Sequence, residues 1–201
     1  MDINIEKLKG KHICLELLAP DHAETLRQLA KDDRIWEFTK EFNTQDNFDN
    51  RFDLYFNTAM DKTACDGQQT FVMRRANDSA IIGMTRFYEI SEKDKRLSVG
   101  HTWYVPAAWG KIYNKECKLL LLQYAFEELA FNRVGFAVAH QNIRSQKAVE
   151  KIGGVKEGII RKYGYRNDGT LRDRVIFSII DDEWPAKKEK LLRMITENEN
   201  R

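Results

Sequence analysis

No apolar run in this chain approaches the roughly 18 residues that a membrane span requires. Its first residues, Met1-Asp2-Ile3-Asn4-Ile5-Glu6-Lys7, lack the hydrophobic core of a secretory signal. Neither charge is in large excess: 33 Lys and Arg stand against 31 Asp and Glu, a net of +2. No global field therefore draws the protein to nucleic acid or to an anionic membrane. Cysteine is scarce. Cys14, Cys65 and Cys117 are odd in number and have no metal-type spacing, so a reducing compartment fits and no metal is expected. These absences predict a soluble, cytoplasmic protein. No repeat, low-complexity tract or linker interrupts the sequence, and 201 residues suit one domain with a core large enough to carry a ligand cleft.

What is present is organised around the stretch from Trp103 to Glu116. An apolar strand stops at Pro106 and the chain restarts as a helix after a short loop. In such a place backbone N–H groups lie free and the positive end of a helix dipole points outward. Residues 105–115 read as a candidate diphosphate cradle, the alternative being an ordinary strand-to-helix connection. Gly110 permits close approach to the backbone, Lys111 and Lys115 add positive charge, and Asn114 is suited to cap the helix.

Before this stretch, residues 12–18 pattern as a strand, and Pro20 opens an amphipathic helix bearing Ala23, Leu26, Leu29 and Ala30. A second helix is expected over residues 47–59. The connection from Ile35 to Phe42 mixes aromatics with charges, as either a binding wall or a loop docked on the core. Residues 69–74, 80–88 and 96–105 form an antiparallel three-stranded meander. After the loop, a helix over 115–131 presents Cys117, Leu120, Leu121, Tyr124, Ala125 and Leu129 to the core. In the strand 133–139, Val134, Phe136 and Val138 alternate with Gly135, Ala137 and Ala139. That gives one bulky face and one nearly bare face, the latter open to the long helix or to a narrow ligand.

Asn142 caps a helix over 143–152 that Gly153-Gly154 ends. Strands near 155–165 and 171–180 are joined by Asn167-Asp168-Gly169, and a surface helix follows at 183–197. The order implies an α/β (α+β) fold: a mixed, mostly antiparallel sheet with a central β-α-β crossover and helices on both faces.

Several motifs stand in a telling order: Gly100-His101-Thr102-Trp103, Trp109-Gly110, Asn114 to Leu122, Asn142-Ile143-Arg144-Ser145, Ala148 to Gly153, and Glu157 to Arg161. Together they resemble the GNAT N-acetyltransferase family, in the branch related to ribosomal-protein N-terminal acetyltransferases, from Leu8 to Pro185. The resemblance implies a GNAT-like twisted sheet and acetyl-CoA as co-substrate. It places the diphosphate and arm of acetyl-CoA along Trp103, Tyr104, Val105, Trp109, Gly110, Lys111, Ile112, Tyr113, Asn114 and Lys115, and near Asn142 and Ser145, with the pantetheine arm between two splayed parallel strands. The implied acceptor is a primary amine, on a protein N-terminus or on a small molecule such as a polyamine or an amino acid. Three family features are missing. Ile112 stands where the loop's second glycine often sits, Val149 replaces the usual tyrosine acid, and Ser98 replaces a glutamate two residues before Gly100.

Acetyl transfer by direct attack needs a neutral amine, a polarised thioester carbonyl and an exit for the thiolate. A main-chain N–H near Trp103 to Val105, at a bulge the resemblance implies, is expected to polarise the carbonyl. Ser145 is the first candidate to stabilise the thiolate, ahead of Tyr163 and Tyr165. The base is water-relayed or is His101, which strict alternation sets on the strand face opposite Ser98. Glu37, Glu41 and Glu89 are acids that could wall the acceptor site, with Trp36, Tyr88 and Ser98 as its other expected members. Cys117 belongs to the core. A catalytically silent acyl-CoA-binding module is the alternative function. Nucleic-acid binding through Arg161, Lys162, Arg166, Arg172 and Arg174 is disfavoured by interspersed acids, and a homodimer is left open.

Overall fold

The computed structural model describes residue 5 and residues 7–38, 47–65, 67–166 and 169–199. Thr39 to Phe42, including the candidate Glu41, and the turn residues Asn167 and Asp168 lie outside the described residues. Among the described residues there are eight strands: β1 (Lys7–Lys9), β2 (Ile13–Leu17), β3 (Gln69–Arg75), β4 (Ile81–Ser91), β5 (Arg96–Tyr104), β6 (Arg133–Ala139), β7 (Val155–Tyr165) and β8 (Leu171–Ile180). They form one sheet in the order β1-β2-β3-β4-β5-β6-β8-β7. Each neighbouring pair is antiparallel except β5 and β6, which run parallel because a helix carries the chain between them.

The helices are α1 (Ala23–Ala30), α2 (Phe48–Cys65), α3 (Tyr113–Gln123), α4 (Ile143–Lys151) and α5 (Trp184–Glu199). Alternation along the strands supplies each sheet face with its own core. On one face, Leu97 and Val99 of β5 and Val134, Phe136 and Val138 of β6 join Cys117, Leu121 and Leu122 of α3 and Leu191 of α5. On the other, Val72, Met84 and Trp103 pack with Leu26 and Ala30 of α1 and Phe52 and Phe56 of α2. Helices thus cover both faces, as the element order implies.

The long helix is shorter than its apolar pattern suggests. It ends at Gln123, and a single π-helical turn over Tyr124–Glu128 follows. The wider turn changes the direction of the side chains, and Phe126, Leu129 and Phe131 are all buried, with the Phe126 ring 5.4 Å from that of Trp184 of α5 and tilted 32° to it. Glu116, in the first turns of α3, ties this helix to the sheet edge. Its carboxylate accepts from the backbone N–H groups of Lys11, His12 and Ile13 at 2.9, 2.8 and 2.8 Å.

Candidate active site

β5 and β6 pair only where Arg96–Ser98 meets Arg133–Gly135. Beyond that point β5 stays with β4 as far as Tyr104, and β6 stays with β8 as far as Ala139. Two parallel neighbours therefore diverge into a wedge whose closed end is the Ser98–Gly135 pair.

The edge of β5 that faces the wedge is shaped by a bulge. Opposite Thr85, β5 carries two residues, His101 and Thr102, and His101 has a φ of 49°. An extra residue resets the alternation, so the expectation for His101 is overturned. Its ring meets Tyr88 edge-on at 5.3 Å, and Tyr88 lies directly opposite Ser98, which puts His101 on the same face as Ser98. The bulge also lies earlier than residues 103–105. The N–H of Val105 is already donated to the carbonyl of Ile82 at 2.9 Å. Antiparallel alternation around that bond turns the N–H of Tyr104 away from β4 and into the wedge, while its carbonyl accepts from Trp109 Nε1 at 2.9 Å. The side chain of Trp103 belongs to the core, its Nε1 donating to the Tyr55 hydroxyl at 3.2 Å.

Beneath the bulge lies a buried lysine. Lys118 of α3 donates from Nζ to Thr102 Oγ1 at 3.0 Å, and Thr102 Oγ1 is 2.8 Å from Thr85 Oγ1. Burial pushes the Lys118 ammonium pKa down.

Past Tyr104 the loop makes one 3-10 turn over Pro106–Ala108, and Gly110 takes a φ of 72°, with open space where a Cβ would stand. α3 then begins at Tyr113. Asn114 is not its cap. It sits inside the first turn, where its Oδ1 accepts from the Tyr104 hydroxyl at 3.3 Å, and no side chain caps the helix. The N–H of Lys115 is donated to the Ile112 carbonyl at 3.0 Å, so the N–H groups of Tyr113 and Asn114 and the positive end of the helix dipole are presented to the loop. Ile112 has a φ of −63°, an ordinary right-handed conformation that needs no glycine. Lys111 is exposed beside this helix start. Lys115 is drawn away from it, because its buried Nζ donates to Asn198 Oδ1 of α5 at 2.6 Å.

On the other arm, Asn142 caps α4 as expected, its Oδ1 accepting from the N–H of Ser145 at 3.0 Å. The Ser145 hydroxyl makes no protein hydrogen bond among the described residues. Arg144 bridges α4 and the loop, its guanidinium 4.2 Å from the centre of the Trp109 ring. Val149 is buried against Gly154, so no hydroxyl occupies the position where the family resemblance implies a tyrosine.

The bare face of β6 does not receive the long helix, which packs on the bulky face. Gly135 and Ala137 instead line a cleft of about 250 Å³ together with Glu89, Ser98, Tyr163 and Arg174. At its back, burial and the nearby Glu89 push the Tyr88 phenol up to about 12. His101 reaches solvent yet is crowded by protein atoms. Loss of hydration and the positive charges of Arg86, Lys62, Arg174 and Arg172 push its pKa down to about 4, so the imidazole is neutral at pH 7. Trp36 is buried, bonded from Nε1 to the carbonyl of Ala30 at 2.7 Å, and docks its connection on the core; Glu37 is exposed. Tyr163 lies under the Arg174 guanidinium at 3.8 Å, and Tyr165 is exposed. Of the basic residues of the last hairpin, Arg166 is bonded to Thr170, the Leu171 carbonyl and Gln141. Arg144 and Lys118 carried no isolated sequence signal of a role here. Each is one charged residue on a helix, and only packing reveals its partner.

Residues 12–155 match the family model described as an acetyltransferase (GNAT) domain. A Bacillus subtilis (strain 168) protein named an uncharacterized N-acetyltransferase, YoaA, is 30% identical over 108 residues, covering 54% of this chain and 60% of that protein. The match therefore spans less than two thirds of that relative's length. A GCN5-related N-acetyltransferase from Brucella melitensis has the same fold, with a TM-score of 0.86 and 22% identity, over 97% of this chain and 87% of that one. RimJ of Mycobacterium smegmatis, solved in complex with CoA-disulfide, shares the fold at a TM-score of 0.77 and 16% identity, over 90% of this chain and 88% of that one.

Proposed function

Because the chain belongs to the GNAT acetyltransferase family, we propose that it moves an acetyl group from acetyl-CoA to a primary amine by direct attack, with no covalent enzyme intermediate. The acceptor is a protein N-terminus or a small-molecule amine, and the protein works as a single domain. The observation that carries this reading is the wedge between β5 and β6, flanked on one arm by the uncapped start of α3 and on the other by the start of α4. Acetyl-CoA, when bound, supplies the thioester-activated acetyl group. The N–H groups of Gly110, Lys111 and Ile112 in the loop and of Tyr113 and Asn114 at the start of α3, with the Lys111 side chain beside them, would hold its diphosphate. The N–H of Tyr104, turned away from β4, would donate to a carbonyl of the thioester arm. Ser145 Oγ, without a partner among the described residues, would hold or deliver the proton that the leaving sulfur requires. The neutral imidazole of His101 keeps positive charge away from the incoming amine.

A screen of primary amines and N-terminal peptides with acetyl-CoA, followed by thiol release, tests the reading. Acetylation of at least one class is expected. Val149, aliphatic where the family usually has a tyrosine, favours a second reading, a silent acyl-CoA-binding module. A folded protein that binds acetyl-CoA and acetylates nothing would support it.

A further inference from the structure

We propose that Glu89 is the carboxylate that receives the acceptor's ammonium group and takes its proton, a role that rests on the acetyl-transfer reading above. Three strands around the cleft carry bulges, and each bulge holds a non-glycine residue in the left-handed region: Glu89 in β4 (φ 52°), His101 in β5 (φ 49°) and Lys162 in β7 (φ 50°). L residues adopt this conformation at a cost, and such strain persists where the surrounding structure holds a group in place. At Glu89 the outcome is a carboxylate swung onto the neighbouring strand. Ser98 Oγ donates to Glu89 Oε2 at 2.8 Å, at the last pair before β5 and β6 part. The bare face of β6 makes room there, since a Cβ on Gly135 would stand 3.0 Å from Ser98 Oγ.

Charge points the same way. The groups facing Glu89 are Tyr88 on its own strand, Arg96 on β5, Arg133 on β6, Tyr163 on β7 and Arg174 on β8, with His101 beside Tyr88. Each arginine is already engaged: Arg133 with Glu157, Arg96 with Asp94 at 3.6 Å, and Arg174 over the ring of Tyr163. Glu89 makes no ion pair among the described residues and is the one acid in the lining of the cleft. At the closed end of the wedge, a carboxylate that accepts one hydroxyl hydrogen bond and forms no ion pair among the described residues keeps an oxygen for a primary ammonium ligand. One N–H bond of the acceptor nitrogen breaks, and its proton passes to the Glu89 carboxylate directly or through one water. The nitrogen keeps the electron pair for attack.

The test compares wild type, Glu89→Gln and Glu89→Asp. Calorimetry with a panel of an arylalkylamine, spermidine and a peptide with a free N-terminus, at saturating CoA, reads amine binding. The pH dependence of kcat/KM reads proton transfer. Glu89→Gln is expected to weaken amine binding at least tenfold and to flatten the acid limb of the profile, with acetyl-CoA affinity within twofold of wild type. Glu89→Asp is expected to restore part of both. If wild type acetylates an amine and Glu89→Gln changes neither binding nor profile, the role of Glu89 is overturned while the acetyl-transfer reading stands. If wild type binds amines through Glu89 but acetylates none, the anchoring role stands, and the acetyl-transfer reading and the proton step fall. Wild-type protein that neither binds nor acetylates any amine overturns both.

Discussion

Lys118 Nζ sits 3.0 Å from Thr102 Oγ1, directly under the residue pair that makes the β5 bulge. An ammonium in the core with no carboxylate bonded to it among the described residues is costly, and here its hydrogen bond braces the strand edge that faces the wedge. Lys118→Met keeps the volume and removes the charge. It is expected to leave the melting temperature unchanged or higher, to lower kcat about tenfold, and to leave KM for acetyl-CoA within about twofold. A purely structural lysine would shift stability and leave kcat alone.

Ser145 separates the enzyme from the silent module. If its hydroxyl serves the leaving sulfur, Ser145→Ala should lower kcat by about ten- to a hundredfold, roughly 1.5–3 kcal/mol for one hydrogen bond to developing charge, with acetyl-CoA affinity nearly unchanged. The helix cap survives this change, because Asn142 accepts from the backbone N–H of residue 145 and not from its hydroxyl. Steady-state kinetics beside calorimetry distinguish this from a ligand role, in which affinity falls and turnover holds.

Gly110 takes a φ of 72°, which proline cannot reach. Gly110→Pro should therefore distort the loop before α3 and weaken acetyl-CoA binding by about tenfold or more. Lys111→Ala removes one exposed charge and should cost less. Equal small losses for both in calorimetry would count against a main-chain cradle.

Glu157 reports on the far end of the sheet. Hydrogen bonding to Arg133, with help from the Ser178 hydroxyl, holds its carboxyl at about 2 against an ordinary 4.5. A folded-state value below the unfolded one means that the unfolded chain binds the extra proton, so this contribution is complete above the unfolded value and is lost as pH falls toward the folded one. Both side chains are more than a third exposed, so screening leaves about 1 kcal/mol. Denaturant titrations should show wild type ahead of Glu157→Gln by that margin at pH 7, with the gap closing between about pH 5 and pH 2. A gap independent of pH would refute the ion pair as its source.

Local patterns in the sequence determined most of the architecture. Period-two alternation marked the meander and the two faces of β6, Asn142 and Gly153-Gly154 marked the ends of α4, and the strand-loop-helix around Gly110 marked the arm of the wedge. These are properties of neighbouring residues, so they can be read along the chain. The tertiary structure decided what depends on partners far away in sequence. Strict alternation misplaced His101 because a bulge is a mismatch between two paired strands, and the pairing of β5 with β4 is what inserts the extra residue. Asn114 and Lys115 were assigned to the loop by nearness in sequence, but Tyr104 and Asn198 claim their side chains. Glu89 was one of three acids that could wall the acceptor site, and its left-handed backbone, which no local pattern announces, is what brings it to Ser98, where the wedge begins. Secondary structure follows from local periodicity, whereas the aim of a side chain at a bulge is set by contacts that form only when the sheet is assembled.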